Sequence, residues 1–125
     1  MTADLRSPGI TQDLQSLATL DRMIHEPARL MIITVLSAAS EADFLYLQRE
    51  CGLTQGNLSS HLAKLEDARY VLIEKMFKGK YPLTVCRLTQ KGRAAFDEYV
   101  RKIRVVSELS PNGNRILPKL RQGKS

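Results

Sequence analysis

Few side chains stand at spacings that support covalent chemistry. Ser59, Ser60 and His61 are consecutive, and adjacency along the chain does not make a nucleophile and its base. His25-Glu26 resembles the start of a zinc-protease signature, but no second histidine follows at the spacing it needs. Cys51 and Cys86 are the only cysteines, too few and too far apart for a disulfide framework or a zinc motif. They are expected to be two reduced, mostly buried thiols. Paired carboxylates and a glycine-rich phosphate loop are also missing. The expectation is a chain that is not an enzyme and carries no cofactor, no catalytic residue and no metal.

Binding chemistry is better represented. Between Thr54 and Lys64 the residues that do not follow the apolar stripe are small or polar: Gln55, Gly56, Asn57, Ser59, Ser60 and Lys64, with no acid before Glu66 and Asp67. At 100° per residue, the stripe Leu58, Leu62, Leu65 faces one way and Gly56, Ser60 and Ala63 face the other. Small residues allow a helix into a groove, and hydroxyl and amide groups can bond base edges or phosphates. Solvated helix faces are usually richer in Glu and Lys than this one. A second basic group, Lys75, Lys78 and Lys80 around Gly79, has Phe77 and Tyr81 beside it. A lysine-rich turn alone is ordinarily just soluble; its position after a recognition-like helix points to phosphate instead.

These groups need elements to hold them. Leu14, Leu17, Leu20 and Ile24 lie three or four apart and predict a helix over Thr11–Ile24. His25-Glu26-Pro27 interrupts it, with Pro27 fit for the first turn of a new helix. Ala28–Leu36 is apolar except at Arg29 and Thr34, as a buried helix would be. Ser37–Asp43 reads as a polar turn. A short helix over Phe44–Cys51 is ended by Gly52, and Thr54 caps the next helix, from Gln55 to about Ala68. Val71–Met76 and Pro82–Leu88 read as strands joined at Lys78-Gly79-Lys80. Thr89 caps a last helix with the stripe Phe96, Tyr99 or Val100, and Ile103. Residues 1–10 are expected to be flexible, 11–106 to form one domain, and 107–125, with Pro111, Gly113, Pro118 and Gly123, to form a loose basic tail.

The order helix, helix, helix, strand, turn, strand predicts a mainly α fold with a small β-hairpin: a winged helix-turn-helix with flanking N- and C-terminal helices. A chain of 125 residues with net charge +6 is one basic domain, suited to nucleic acid or another anionic surface. It has no apolar run of membrane-spanning length, and Asp4, Pro8 and Gly9 break the stretch where a signal peptide would lie. A cytoplasmic protein is expected. The stripes Leu14, Leu17, Leu20, Ile24 and Phe96, Tyr99, Val100, Ile103 exceed what a small core needs and predict a dimer interface.

The stretch GNLSSHLAKLEDARYVLIEKMFKGKYPLTVCRLTQKGRAAFDEYV closely resembles the winged-helix family related to the MarR and ArsR regulators. The motifs are GNLS-x-HL-x-KLE, K-x-F-x-GK-x-P and LT-x-x-GR-x-AF, and the resemblance runs from about Leu20 to Ile103. It implies a homodimeric transcription factor, commonly a repressor, that binds double-stranded DNA. It places Gln55, Gly56, Asn57, Ser59, Ser60, His61 and Lys64 in the recognition helix, and Lys78 and Lys80 in the wing; the cap Thr54 and the hairpin's Lys75, read from their positions, join them as expected DNA contacts. One departure stands out: the family's usual glycine after the recognition helix is Arg69 here. If that position is left-handed, arginine costs up to ~1 kcal/mol relative to glycine; otherwise the turn is reshaped, or Arg69 adds a phosphate contact. A winged helix used only for protein contact is the alternative; an acidic or apolar recognition face would favour it. An apolar space between helices would also admit a small-molecule effector, which no residue identifies.

Overall fold

Thr11–Ile24 does not form the single helix that its leucine spacing predicts. A computed structural model of the chain, which describes residues 8–110, ends α1 (Pro8–Gln15) early and follows it with a 3-10 turn at Ser16–Thr19. Leu20 is extended, with ψ at 140°. Asp21 then closes a tight turn by accepting from the backbone N–H groups of Met23 (2.8 Å) and Ile24 (3.3 Å). An aspartate that satisfies backbone donors locally competes with helix continuation, so the apolar spacing persists where the helix does not. Ile24 ends fully buried in the core of its own chain, and nothing of it is left to offer a second copy.

α2 spans Pro27–Ala39, with Pro27 in its first turn and the Glu26 carboxylate accepting from the Arg29 N–H at 2.8 Å. Residues 41–43, expected to be part of a turn, form a short strand β1 (Glu41–Asp43). Three residues with one buried side chain, Ala42, carry no readable alternation. α3 (Phe44–Cys51) is capped by Asp43, which accepts from the Tyr46 N–H, and ends at Gly52 in the left-handed conformation with φ 64°. α4 (Gln55–Asp67) follows after three residues, its first turn capped by the Thr54 hydroxyl.

β2 (Val71–Lys78) and β3 (Tyr81–Leu88) pair antiparallel in a two-residue hairpin, with Lys78 opposite Tyr81. β1 adds to the other edge of β3, giving the order β1-β3-β2. Arg87 on the central strand pairs with Glu41 of β1 at 2.9 Å and with Glu74 of β2, tying the three strands together on one face. Ile24, Ile32, Ile33, Leu36, Leu47, Leu58, Leu65 and Cys86 form the fully buried core between the helices and the sheet. This is the winged-helix arrangement. Both cysteines are buried and unbonded; burial, aided by Glu66 and Asp43, pushes the Cys86 thiol up to about 11.

Two compact units are distinguishable, Asp21–Asp97 and a second comprising the two chain ends up to Leu20 and from Glu98. In the second, Lys102 of α5 (Gln90–Leu109) donates to the Thr19 carbonyl and hydroxyl oxygens at 3.1 and 3.0 Å. α1 starts inside the segment expected to be flexible, and α5 runs three residues beyond the expected Val106. The remainder of both terminal expectations lies outside the described residues. Tyr99 is buried, whereas Leu14 is 47% exposed; Leu17, Leu20, Phe96, Val100 and Ile103 are half-buried. No helix of the described residues is long and apolar enough to cross a membrane.

After α4, Arg69 keeps the left-handed conformation, with φ 66°. The turn is therefore not reshaped around the larger residue. The Tyr70 N–H reaches back to the Leu65 carbonyl at 2.9 Å and the Arg69 N–H to Glu66 at 2.9 Å, the helix-ending pattern that a left-handed residue makes possible. An exposed arginine pays a steric penalty here that glycine avoids. Arg69→Gly is expected to raise stability by up to ~1 kcal/mol, seen as a higher urea midpoint with unchanged slope. An equal or lower midpoint would show that the Arg69 side chain offsets the strain.

Candidate nucleic-acid interface

Leu58, Leu62 and Leu65 are buried to 2% exposure or less, which fixes the rotation of α4. Gly56, Asn57, Ser60 and Lys64 are consequently exposed on its outer side, and no acidic residue lies in its first turn. The positive dipole end of the helix is thus not offset by an acidic side chain of its own first turn, an arrangement that suits an anion. Thr54 is exposed, but its hydroxyl is occupied as the cap, accepting from the Asn57 N–H at 3.1 Å.

Gln55, Ser59 and Ala63 are also exposed, on the flank of α4 that faces the sheet. Together with Ile73, Lys75 and Thr84 they line a groove of about 360 Å³, with Glu66 at its wall. Lys75 thus belongs to the space between helix and hairpin, while Lys78 and Lys80 stand at the hairpin tip. Phe77 and Tyr81 beside them are 72% and 78% exposed. Sequence reasoning identified the helix face and the tip separately; the groove, which brings Gln55, Ser59 and Lys75 together with Thr84, required the packing.

Two expected contact residues have partners within the chain. Arg69 sits at the base of the hairpin, and its carbonyl accepts from the Thr89 hydroxyl at 2.7 Å. β2 (Val71–Lys78) runs between it and the tip, seven steps or roughly 23 Å at about 3.3 Å per residue, so Arg69 stands at the far end of the strand from Lys78. His61 is half-buried and turned toward the start of α2. Its Nδ1 is 3.3 Å from an Arg29 guanidinium nitrogen and 3.9 Å from Glu26 Oε1. Partial burial works to raise the Glu26 carboxyl, but the Arg29 N–H, the charge His61 carries when protonated and the Arg29 charge outweigh it and leave it below its ordinary value. Arg29 had no assigned role from sequence. Its one visible signal was being a charged residue within an otherwise apolar helix.

The profile of the family described as a winged helix DNA-binding domain matches residues 28–106. A protein of Methanocaldococcus jannaschii, MJ0432, is 34% identical over 88 residues, which are 70% of this chain and 95% of that protein. Among solved structures, a transcriptional regulator homologue from Pyrococcus horikoshii OT3 superposes with a TM-score of 0.70 at 27% identity, covering 78% of this chain and 95% of that one. The repressor CouR, solved on a 23-mer DNA duplex, shares the fold with a TM-score of 0.62 at 16% identity, over 94% of this chain and 93% of its own.

Proposed function

The chain belongs to the winged-helix DNA-binding domain family, and on that premise we propose that it is a homodimeric transcriptional regulator, acting as a repressor. α4 enters the major groove of duplex DNA, and the hairpin lies along the backbone or in the minor groove. The observation that carries this reading is the outer face of α4: small, polar and free of acid in its first turn, with the Lys75 groove along its flank and a lysine-tipped hairpin following it in the chain. Gln55, Gly56, Asn57, Ser59, Ser60 and Lys64 form the helix surface; Lys75, Lys78 and Lys80 form the wing surface. The protein works in the compartment that holds the chromosome, the cytoplasm, by binding and without chemical change to its ligand.

Dimerisation joins α1 and the C-terminal half of α5 of two copies, where Leu14 and Val106 are 47% and 53% exposed. A two-fold dimer presents one recognition helix to each half-site, with half-sites ~34 Å apart or a multiple of that. Footprinting on the chain's own upstream region is expected to reveal a near-palindrome; an asymmetric site of half the length would count against the dimer.

On that site, Lys64→Ala is expected to weaken binding to every sequence alike, because a phosphate contact carries no base information. Asn57→Ala and Ser60→Ala are expected to change the preference among operator variants by ~1–3 kcal/mol. Titration of a panel of duplexes separates the two effects. Affinity and preference unchanged in all three variants would remove α4 from the interface.

A further inference from the structure

We propose that Arg29 of α2 fixes the tautomer of His61 on α4, so that the ring presents its Nε2–H as a set donor to an acceptor atom of the DNA. This rests on the reading of α4 as the recognition helix. A guanidinium has only donors, so the 3.3 Å contact from Arg29 to His61 Nδ1 is a hydrogen bond only if Nδ1 is the acceptor. The neutral ring must then carry its proton on Nε2. Glu26 does not compete for the ring nitrogen: its Oε1 is 3.9 Å away and accepts instead from the Arg29 N–H at 2.8 Å.

Arg29 is itself immobilised. Its Nε donates to the Met23 carbonyl at 2.7 Å, and a terminal nitrogen reaches the Arg22 carbonyl at 3.5 Å. The turn that Asp21 closes is thus the anchor, the guanidinium the bridge, and the imidazole the group that is held. His61 stands one helical turn from both Asn57 and Lys64, on the same flank of α4. A fixed N–H there can serve a purine N7 or O6, or a phosphate oxygen. Arg29 would be a positioning residue, acting on DNA only through His61.

The tautomer is measurable on the free full-length protein from the imidazole nitrogen shifts of ¹⁵N-histidine-labelled samples at mildly alkaline pH, with His61→Ala assigning the signals. The wild-type ring is expected to show the Nε2–H form alone, and Arg29→Met to populate both forms. Arg29→Leu, which also removes every donor, should lose the single form as well, and it serves if Arg29→Met does not fold. A mixed ring in the wild type, or one unchanged in the folded variants, overturns the proposal.

Binding to the footprinted duplex supplies the second half. His61→Ala and Arg29→Met are each expected to cost roughly tenfold in affinity, and the double variant no more than either alone. Additive losses would mean that Arg29 is merely structural. A loss confined to the specific duplex assigns the acceptor to a base edge, and an equal loss on a scrambled duplex assigns it to phosphate. If the wild type binds no duplex, the functional reading and the donor's role both fall, while the nitrogen shifts still decide whether Arg29 holds the ring.

Discussion

Gly92→Ala is expected to destabilise the fold by about 3 kcal/mol, although helix propensity taken alone predicts a gain of about 1 kcal/mol for the same change. The glycine lies in the first turn of α5, where a Cβ would sit 2.2 Å from the Tyr70 carbonyl oxygen, 3.0 Å from the Tyr70 carbonyl carbon and 2.8 Å from Leu88 Cδ1. Leu88 can rotate away, but the Tyr70 backbone cannot. Its N–H is bonded to Leu65 at 2.9 Å, its carbonyl accepts from the Thr89 N–H at 3.0 Å, and its hydroxyl donates to Asp21. Burial, then the hydrogen bond and charge of Asp21, hold that hydroxyl's pKa up at about 12, so the tyrosine stays a donor throughout the physiological range.

The helix cannot retreat freely either, because Thr89 caps it by accepting from the Gly92 N–H at 3.0 Å while donating to the Arg69 carbonyl. Close approach of two fixed backbones is thus the physical reason for the glycine in the LT-x-x-GR motif. The sign of the change decides the matter. A urea midpoint that falls supports the clash, and one that rises would show that α5 shifts to make room.

Where local chemistry is sufficient, the sequence was readable. Gly52, the Thr54 cap and the Leu58, Leu62, Leu65 stripe place α3 and α4 almost to the residue, and the glycine turn places the hairpin tip. Arg69 was readable as an alternative between strain and a reshaped turn, and only its φ of 66° resolves it.

The failures share a cause in tertiary context. Leu17, Leu20 and Ile24 keep helical spacing across a turn that Asp21 creates, because periodicity reports which side chains are apolar and not whether the backbone between them is helical. β1 is recruited by β3 from a distance of more than forty residues, which no three-residue pattern reveals. The family resemblance placed His61 in the recognition helix with Asn57, while its spacing set it beside the apolar stripe, where DNA contact and packing against the wing both stayed open. Its partner, Arg29, lies 32 residues away in sequence, so the contact between them was invisible.

The wing carries the largest expected effect on binding. Lys78→Ala combined with Lys80→Ala is expected to flatten the log–log dependence of affinity on salt by about 1–2 units per wing, hence roughly 2–4 units for a dimer that uses both. Each lysine that neutralises a phosphate releases condensed counterion, and that release is what the slope counts. If affinities converge near 1 M salt, a slope smaller by 2 means a loss on the order of a hundredfold at 0.1 M.

Fold disruption is a weak competing explanation for such a loss. Both lysines are exposed, and the turn depends on Gly79, at φ 64°, which the variant retains. Lys75 gives the internal contrast. It lines the groove between α4 and the sheet, with Gln55 and Ser59 across from it. In the proposed docking, a residue there reaches the backbone once α4 is seated in the major groove. Lys75→Ala should therefore cost more slope on a specific duplex than on a random one, whereas the tip lysines should cost the same on both. Parallel titrations over a salt series measure all three residues. An unaltered slope in the tip variant would mean that the hairpin points away from DNA.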